Sequence, residues 1–195
     1  MFSKPSWLFK PIVVDDLAKI QQEFLAIKQQ HYSDLEDIWK PDLLVHIDKQ
    51  YITALAPNYI AWLTKLGIVD RWAASVWAAN CKGYNDYIPH VDKIDFRDRC
   101  FAINIPIANC ENSYTVWYDV EPNSQVVGLI PHYKDVPAWP KDKIKGELGR
   151  MPAAQTAIIN VAIPHCSQTD HNDLRLVLTT RFTPEIFDVV ESIAC

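Results

Sequence analysis

Six short apolar segments follow one another from residue 71 onward and restrict the folds open to this chain. Each runs for 7 to 11 residues, is rich in Val, Ile, Thr and aromatic side chains, and is bounded by polar or proline-bearing stretches. Because no helical pattern lies between them, they predict an antiparallel sandwich or barrel rather than a doubly wound parallel sheet. The segments are 71–81, 99–107, 113–120, 124–130, 154–163 and 174–182.

Helical patterns flank this region. Residues 15–30 repeat apolar side chains at helical spacing, and a second short helix is expected where the chain opens with Pro57 and closes with Gly67. We therefore expect a single domain spanning all 195 residues. It comprises a helical N-terminal region (1–70) packed on a β core (71–183) and a C-terminal helix (184–195).

Composition excludes several classes of function. The net charge of -5 and the lack of Lys/Arg clusters argue against a protein that binds nucleic acid by neutralising phosphates. No apolar run approaches the roughly 18 residues of a membrane span, and the N-terminus lacks the apolar region of a signal peptide, so we expect a cytoplasmic protein without membrane partners. The five glycines form neither a dinucleotide-binding nor a phosphate-binding loop. The five cysteines, odd in number and never spaced Cys-x-x-Cys, favour reduced thiols.

Three histidines, His46, His90 and His171, begin a His-x-Asp triplet. On a strand, residues two apart point to the same face, so an imidazole and a carboxylate converge on one point. That is two-thirds of the 2-His-1-carboxylate triad that holds non-heme Fe(II) and leaves coordination positions open. His46 has His90 as a possible partner, and His171 has no histidine after it. His90 and Asp92 have His165 as a distant partner, with enough strands between them to fold back over the site.

An arginine follows this pattern. Arg175 stands ten residues after His165, at the start of the last apolar segment, and the polar residues between the two predict a turn. His-x-Asp, several strands, then His and an Arg ten residues later resembles the Fe(II)/2-oxoglutarate-dependent oxygenases. The resemblance implies a mainly β, double-stranded β-helix (jelly-roll, cupin-like) fold with flanking helices. It also implies that His90, Asp92 and His165 bind Fe(II), with 2-oxoglutarate and O2 as co-substrates. Arg175 would grip the distal carboxylate of 2-oxoglutarate, and Arg181, on the same strand face, is the second candidate.

A narrower resemblance concerns Arg99, which follows His90 by nine residues and opens a proline-bearing apolar segment. This arrangement is similar to the aspartyl/asparaginyl hydroxylase-like branch, in which the equivalent arginine helps to hold the other carboxylate of the co-substrate. The resemblance covers roughly residues 75–183. Asn104 and Tyr118 lie on predicted strands where polar groups can face the cavity, and we expect both to contribute to co-substrate binding.

The resemblance implies hydroxylation of a C–H bond in a small molecule, an amino acid or a peptide side chain, with 2-oxoglutarate converted to succinate and CO2. Two alternatives stay open. A cupin-like metalloenzyme would keep the triad without using 2-oxoglutarate, and a jelly-roll binding module would have no catalysis at all.

The stretch 132–152 is a long connection punctuated by prolines. Connections of this length are usually lids or binding loops. We therefore expect it to border a ligand site.

Overall fold

The computed structural model describes residues 7–33, 43–80, 88–92, 101–130, 135–170, 172–182, 189 and 193. Within these ranges the α-helices are α1 (Leu17–His31), α2 (Lys49–Leu55) and α3 (Pro57–Lys65), and short 3-10 turns lie at Val69–Arg71 and Lys141–Lys143. The strands are β1 (Phe9–Pro11), β2 (Leu43–Ile47), β3 (Trp72–Asn80), β4 (Phe101–Ala108), β5 (Ser113–Val120), β6 (Ile144–Pro152), β7 (Ala157–Asn160), β8 (His165–Thr169) and β9 (Arg175–Phe182). None of the described helices is long and apolar enough to cross a membrane.

The strands form two antiparallel sheets. The larger has the order β1-β7-β4-β9-β3-β2, and the smaller has the order β6-β5-β8. The segment 88–92 extends the smaller sheet, because His90 pairs with His165 at the start of β8. From β3 onward the chain alternates between the sheets, with one hairpin (β5 and β6) staying in the smaller one. This alternation defines a double-stranded β-helix, so the predicted jelly-roll fold is confirmed.

The larger sheet separates two apolar cores. One face packs against the helices, and α1 buries Ile20, Phe24 and Ile27 there because their spacing of three and four residues puts them on one stripe. The opposite face looks toward the smaller sheet, where Ala102 of β4 packs with Trp117 of β5. That second interior carries the polar side chains described below.

A buried hydroxyl network ties the helices to the sheet. Tyr59 of α3 packs edge-on against Phe24, and its hydroxyl is hydrogen-bonded to Ser75 of β3 and to Thr180 of β9. Burial raises the pKa of Tyr59 above its ordinary value of 10.0. The network fixes the helical layer relative to β9, whose other face carries Arg175 and Arg181.

The predicted helices at 15–30 and 57–67 are confirmed as α1 and α3. The second ends where Gly67 takes a φ of 69°, a conformation that favours glycine. Most of the predicted helix 184–195 lies outside the described residues, although 189 and 193 are helical. The N-terminal region is not only helical, since β1 and β2 occupy the two edges of the larger sheet. Both are too short to show a clear period, and their pairing with β7 and β3 decides their conformation.

Three local expectations were wrong. Residues 124–130 do not form a strand, and only Val126 makes an isolated bridge, to Ala138. The expected connection 132–152 contains β6, whose mostly exposed side chains give no hydrophobic alternation because it is an edge strand. The polar stretch after His165 was interpreted as a turn but forms β8.

Candidate metal centre

His90 and His165 are directly opposite each other on neighbouring strands. The His90 N–H donates to the His165 carbonyl (2.9 Å), and the His165 N–H donates to the His90 carbonyl (2.8 Å). Side chains of such a hydrogen-bonded pair leave the sheet on the same face. The ring centroids lie 5.0 Å apart. Strand pairing thus brings together two imidazoles that are far apart in sequence.

Asp92 completes the cluster. It lies two residues after His90, so its side chain leaves the segment on the same face, and its N–H donates to the Val161 carbonyl (3.1 Å). Its Oδ1 is 3.7 Å from His90 Nε2 and 3.8 Å from His165 Nε2. One potential ligand atom from each of the three residues lies within 4.8 Å of the others. Metal–ligand bonds of about 2.1 Å put the donors of one ion roughly 3 to 4 Å apart, so this cluster suits a single ion after small adjustments.

The far side of each imidazole is anchored to the backbone. His90 Nδ1 lies 3.0 Å from the Ile88 carbonyl, and His165 Nδ1 lies 2.9 Å from the Ile163 carbonyl. A carbonyl only accepts, so each Nδ1 carries the proton and each Nε2 offers its lone pair to the cluster. The donor set, two imidazole nitrogens and one carboxylate, is the facial triad typical of non-heme Fe(II).

A repeated tripeptide underlies this anchoring. Ile-Pro-His occurs at 88–90 and again at 163–165. Proline fixes its own φ and disfavours the helical conformation in the residue before it, so the isoleucine carbonyl is held in a similar place in both copies. Sequence reasoning missed these carbonyls, although the repeat was a signal for them. A third copy, 130–132, lies partly outside the described residues.

The electrostatics of the cluster suit a cation. Burial alone would raise the pKa of Asp92, but the charge of Arg181, followed by those of the two imidazoles, holds it below its ordinary value. Burial, followed by the charge of His90, lowers the pKa of His165 to about 4. At neutral pH the carboxylate is therefore ionised and the His165 imidazole neutral, which are the forms that bind metals.

The cluster opens toward solvent on one side. The side chain of His90 is 28% exposed, against 9% for His165. The segment 137–139 lies along the outer edge of the 88–92 segment, with the Val91 N–H donating to the Pro137 carbonyl (3.1 Å). This segment belongs to the stretch expected to border a ligand site, and it lies beside one of the three cluster residues. Its role as a lid stays a prediction.

Polar groups continue from the cluster into the interior. Arg175 is 1% exposed and lies on the same face of β9 as Arg181. Asn104 pairs with Thr179 across β4 and β9 on this same face. Among the described residues, Asn104 Oδ1 and Thr115 Oγ1 are buried without a hydrogen-bond partner. Such groups are costly in an apolar interior, so they mark a place suited to a polar ligand.

Tyr118 does not face this interior, and that expectation was wrong. Trp117 pairs with His165 and takes the inward position, so the alternation of the strand turns Tyr118 outward. There its hydroxyl accepts a hydrogen bond from Gln168 Nε2 and lies 3.6 Å from Cys166 Sγ. Tyr118 is therefore removed from the co-substrate site.

The remaining candidates are not part of the cluster or lie outside the described residues. Asp48, the aspartate of the first His-x-Asp triplet, accepts a hydrogen bond from the Gln50 N–H and caps α2. This aspartate therefore has a structural role. His46 lies on β2 and is not part of the described His–Asp–His cluster. Arg99 and His171 lie outside the described residues, so their predicted roles stay predictions.

No protein-family model matches the sequence, and no curated protein matches it. Several solved structures are similar to this chain at low sequence identity. ThoJ, a non-heme monooxygenase in complex with nickel, is 11% identical, with 91% of this chain and 73% of ThoJ covered and a TM-score of 0.46. A prolyl-4-hydroxylase from Pseudomonas putida is 14% identical, with coverages of 87% and 88% and a TM-score of 0.43. SnoK, a non-heme alpha-ketoglutarate-dependent carbocyclase from nogalamycin biosynthesis, is 11% identical, with coverages of 90% and 81% and a TM-score of 0.46. Because these identities and TM-scores are low, the fold is assigned from the strand order of this chain.

Proposed function

We propose that this protein is an Fe(II)- and 2-oxoglutarate-dependent oxygenase that hydroxylates a C–H bond of a small molecule, an amino acid or a peptide side chain. The observation that carries the proposal is the cluster of His90, Asp92 and His165, with both imidazoles anchored through Nδ1. A three-ligand site leaves coordination positions for two co-substrates, which a closed structural site does not.

The metal, when bound, supplies the redox chemistry that joins oxygen activation to the decarboxylation of 2-oxoglutarate. His90 and His165 would hold it through Nε2 and Asp92 through Oδ1. The Ile88 and Ile163 carbonyls keep the imidazoles in the correct tautomer. Arg181 keeps Asp92 ionised and engages Oδ2, so that Oδ1 faces the cluster.

Arg175 is the proposed partner of the distal carboxylate of 2-oxoglutarate. A guanidinium this deeply buried suits an anionic partner, and its planar fork matches a carboxylate in two parallel hydrogen bonds. Arg181, the second candidate, is already hydrogen-bonded to Asp92. Asn104 faces the same interior, and its amide can offer either an oxygen or an NH2 group to the co-substrate.

The test is an anaerobic titration of the purified protein with Fe(II) and then with 2-oxoglutarate, followed by visible absorption. Chelation of an open ferrous site by the 2-oxo acid should give a charge-transfer band only when both are present. The His31→Ala variant is the matched control, because His31 lies on α1 stacked against Tyr51 and outside the cluster. It should give the same band as the wild type, and His165→Ala should give none.

The other outcomes would overturn the proposal. Iron binding without the band would favour the cupin-like metalloenzyme that does not use 2-oxoglutarate. No iron binding would leave a jelly-roll binding module. If the band forms, formation of succinate in air measures the coupled reaction.

A further inference from the structure

The proposed function assigns no role to His46, which lies on β2. Cross-strand pairing puts it in one row with Val76 of β3, Thr179 of β9 and Asn104 of β4. Residues paired in this way share one face of a sheet. His46 therefore lies on the face of the larger sheet that looks toward the His–Asp–His cluster, and it does so on the outermost strand, β2.

This part of the sheet is partly open to solvent. His46 is exposed, whereas its neighbours Val45 and Ile47, which point toward the helices, are buried. Between His46 and Thr179 of β9 lies Val76 of β3, which is fully buried. On either side of Val76 the same face of β3 presents the small, partly exposed side chains of Ala74 and Ala78. This face of β3, which we call the floor, runs beside Arg181, which pairs with Ala74.

The charge of this floor is positive. No described residue at the cavity-facing positions of β2, β3 and β9 is acidic. With a divalent ion, ionised Asp92, the guanidinium groups of Arg175 and Arg181, and a dianionic co-substrate in place, these groups together keep a net positive charge. Desolvation lowers the pKa of His46, and the charge of Arg181 lowers it further. His46 is therefore within electrostatic reach of Arg181. At neutral pH it is a neutral imidazole that can donate one hydrogen bond.

We propose that His46 and Arg181 recognise a carboxylate on the substrate, whose carbon skeleton lies over Ala74 toward the metal centre. The inference rests on the proposed function and narrows its substrate class to anionic molecules or side chains. His46 acts here as a specificity-determining residue at the rim, where an exposed imidazole meets the open edge of the site. Arg181, already paired with Asp92, contributes mainly its charge.

Nuclear magnetic resonance of protein with 13C-labelled imidazoles tests this directly. Zinc-loaded protein saturated with 2-oxoglutarate, which blocks the co-substrate site, is titrated with two isosteric pairs: acetate against acetamide, and benzoate against benzamide. Ionic strength is held constant with chloride. The His46 resonance, assigned with His46→Gln, should shift saturably with at least one carboxylate, at an apparent Kd about tenfold below that for its amide. The His31 resonance is the internal control and should not respond.

A second variant, Ala74→Leu, fills the floor without removing a polar group, and it should abolish the carboxylate response at His46. An equal response to acid and amide, a response shared with His31, or an unchanged response in Ala74→Leu would overturn the inference. The charge-transfer titration separates the two proposals. A charge-transfer band without carboxylate selectivity at His46 would support the oxygenase proposal and contradict the proposal of an anionic substrate. If no band forms, the same titration on metal-free protein still reports on the floor, because His46 and Ala74 belong to the sheet and not to the metal site.

Discussion

Arg181 donates a 3.1 Å hydrogen bond from Nη2 to Oδ2 of Asp92. The other oxygen of that carboxylate, Oδ1, is the one that lies near the two imidazoles. The side chains of Asp92 and Arg181 are only 11% and 13% exposed, so the pair is largely removed from water. The arginine therefore sets both the ionisation and the orientation of the acidic residue in the cluster.

Arg181→Met should strongly destabilise the metal-free protein. The substitution leaves a largely buried carboxylate without its cationic partner, and breaking such a pair costs about 3 kcal/mol or more of unfolding free energy. Urea denaturation of the metal-free variant and wild type at neutral pH measures the difference.

The matched control is Arg150→Met. Arg150 forms a similar hydrogen-bonded pair with Glu147, but on the exposed face of β6. Exposed pairs contribute little, so this variant should unfold close to the wild-type midpoint. Equal losses of unfolding free energy in the two variants would show that the buried pair stabilises the protein no more than the exposed pair does.

His165→Ala and His90→Ala should each weaken metal binding by more than about a hundredfold, because loss of a ligand exceeds the effect of losing a partner behind it. Isothermal calorimetry with Zn(II), which needs no anaerobic handling, measures the affinity. His31→Ala should bind as the wild type does. Full-strength binding by His165→Ala would place the second imidazole elsewhere, with His171 the first alternative.

Arg175→Lys should weaken 2-oxoglutarate binding by about tenfold or more and spare iron. Lysine keeps the positive charge but loses the planar fork, so the effect isolates bidentate recognition of the carboxylate. The concentration of 2-oxoglutarate that gives half of the charge-transfer band reports this binding. If Arg181→Lys has the larger effect and Arg175→Lys has none, Arg181 is the clamp.

Tyr59→Phe should change how stability depends on pH. The folded pKa of Tyr59 lies above its ordinary value of 10.0, so its contribution is fully present below about pH 10 and is lost as the pH rises above that. Below pH 9 the wild type should exceed the variant by about 1 to 2 kcal/mol, through the hydrogen bonds to Ser75 and Thr180.

Above pH 10 this difference should shrink, because unfolding then releases the phenol proton. Urea denaturation of both proteins at intervals from pH 6 to 11 gives the curve, and the stretch from pH 6 to 8, where the difference should be constant, serves as the control. A difference that stays flat through pH 11 would contradict the prediction.

Part of the candidate site could be predicted from residues that are close together in the sequence. His90 and Asp92 stand two residues apart, so any extended conformation brings their side chains to one face. That Arg175 and Arg181 share one face of β9 could be predicted in the same way, because they stand an even number of residues apart. The pairing of Arg181 with Asp92 was not, because no local pattern relates two residues so distant in sequence.

The error at Tyr118 has a similar cause. The strand 113–120 is correct in extent, but its phase depends on which residue pairs with His165, and that residue is Trp117. A shift of one position reverses every side chain of a strand. A polar residue in an apolar strand therefore indicates a special environment without saying on which side of the sheet it lies.

Local periodicity was enough to predict a mainly β chain with flanking helices. The spacing of the histidines, together with the arginine ten residues after His165, pointed to one His-x-Asp triplet with a distant histidine. The folded chain was needed to show that His90 and His165 exchange backbone hydrogen bonds, that Arg181 engages Asp92, and that β1, β2, β6 and β8 are strands. Those features depend on pairing between segments far apart in the chain. Such pairing is stabilised only when the sheets assemble, so no single segment shows it.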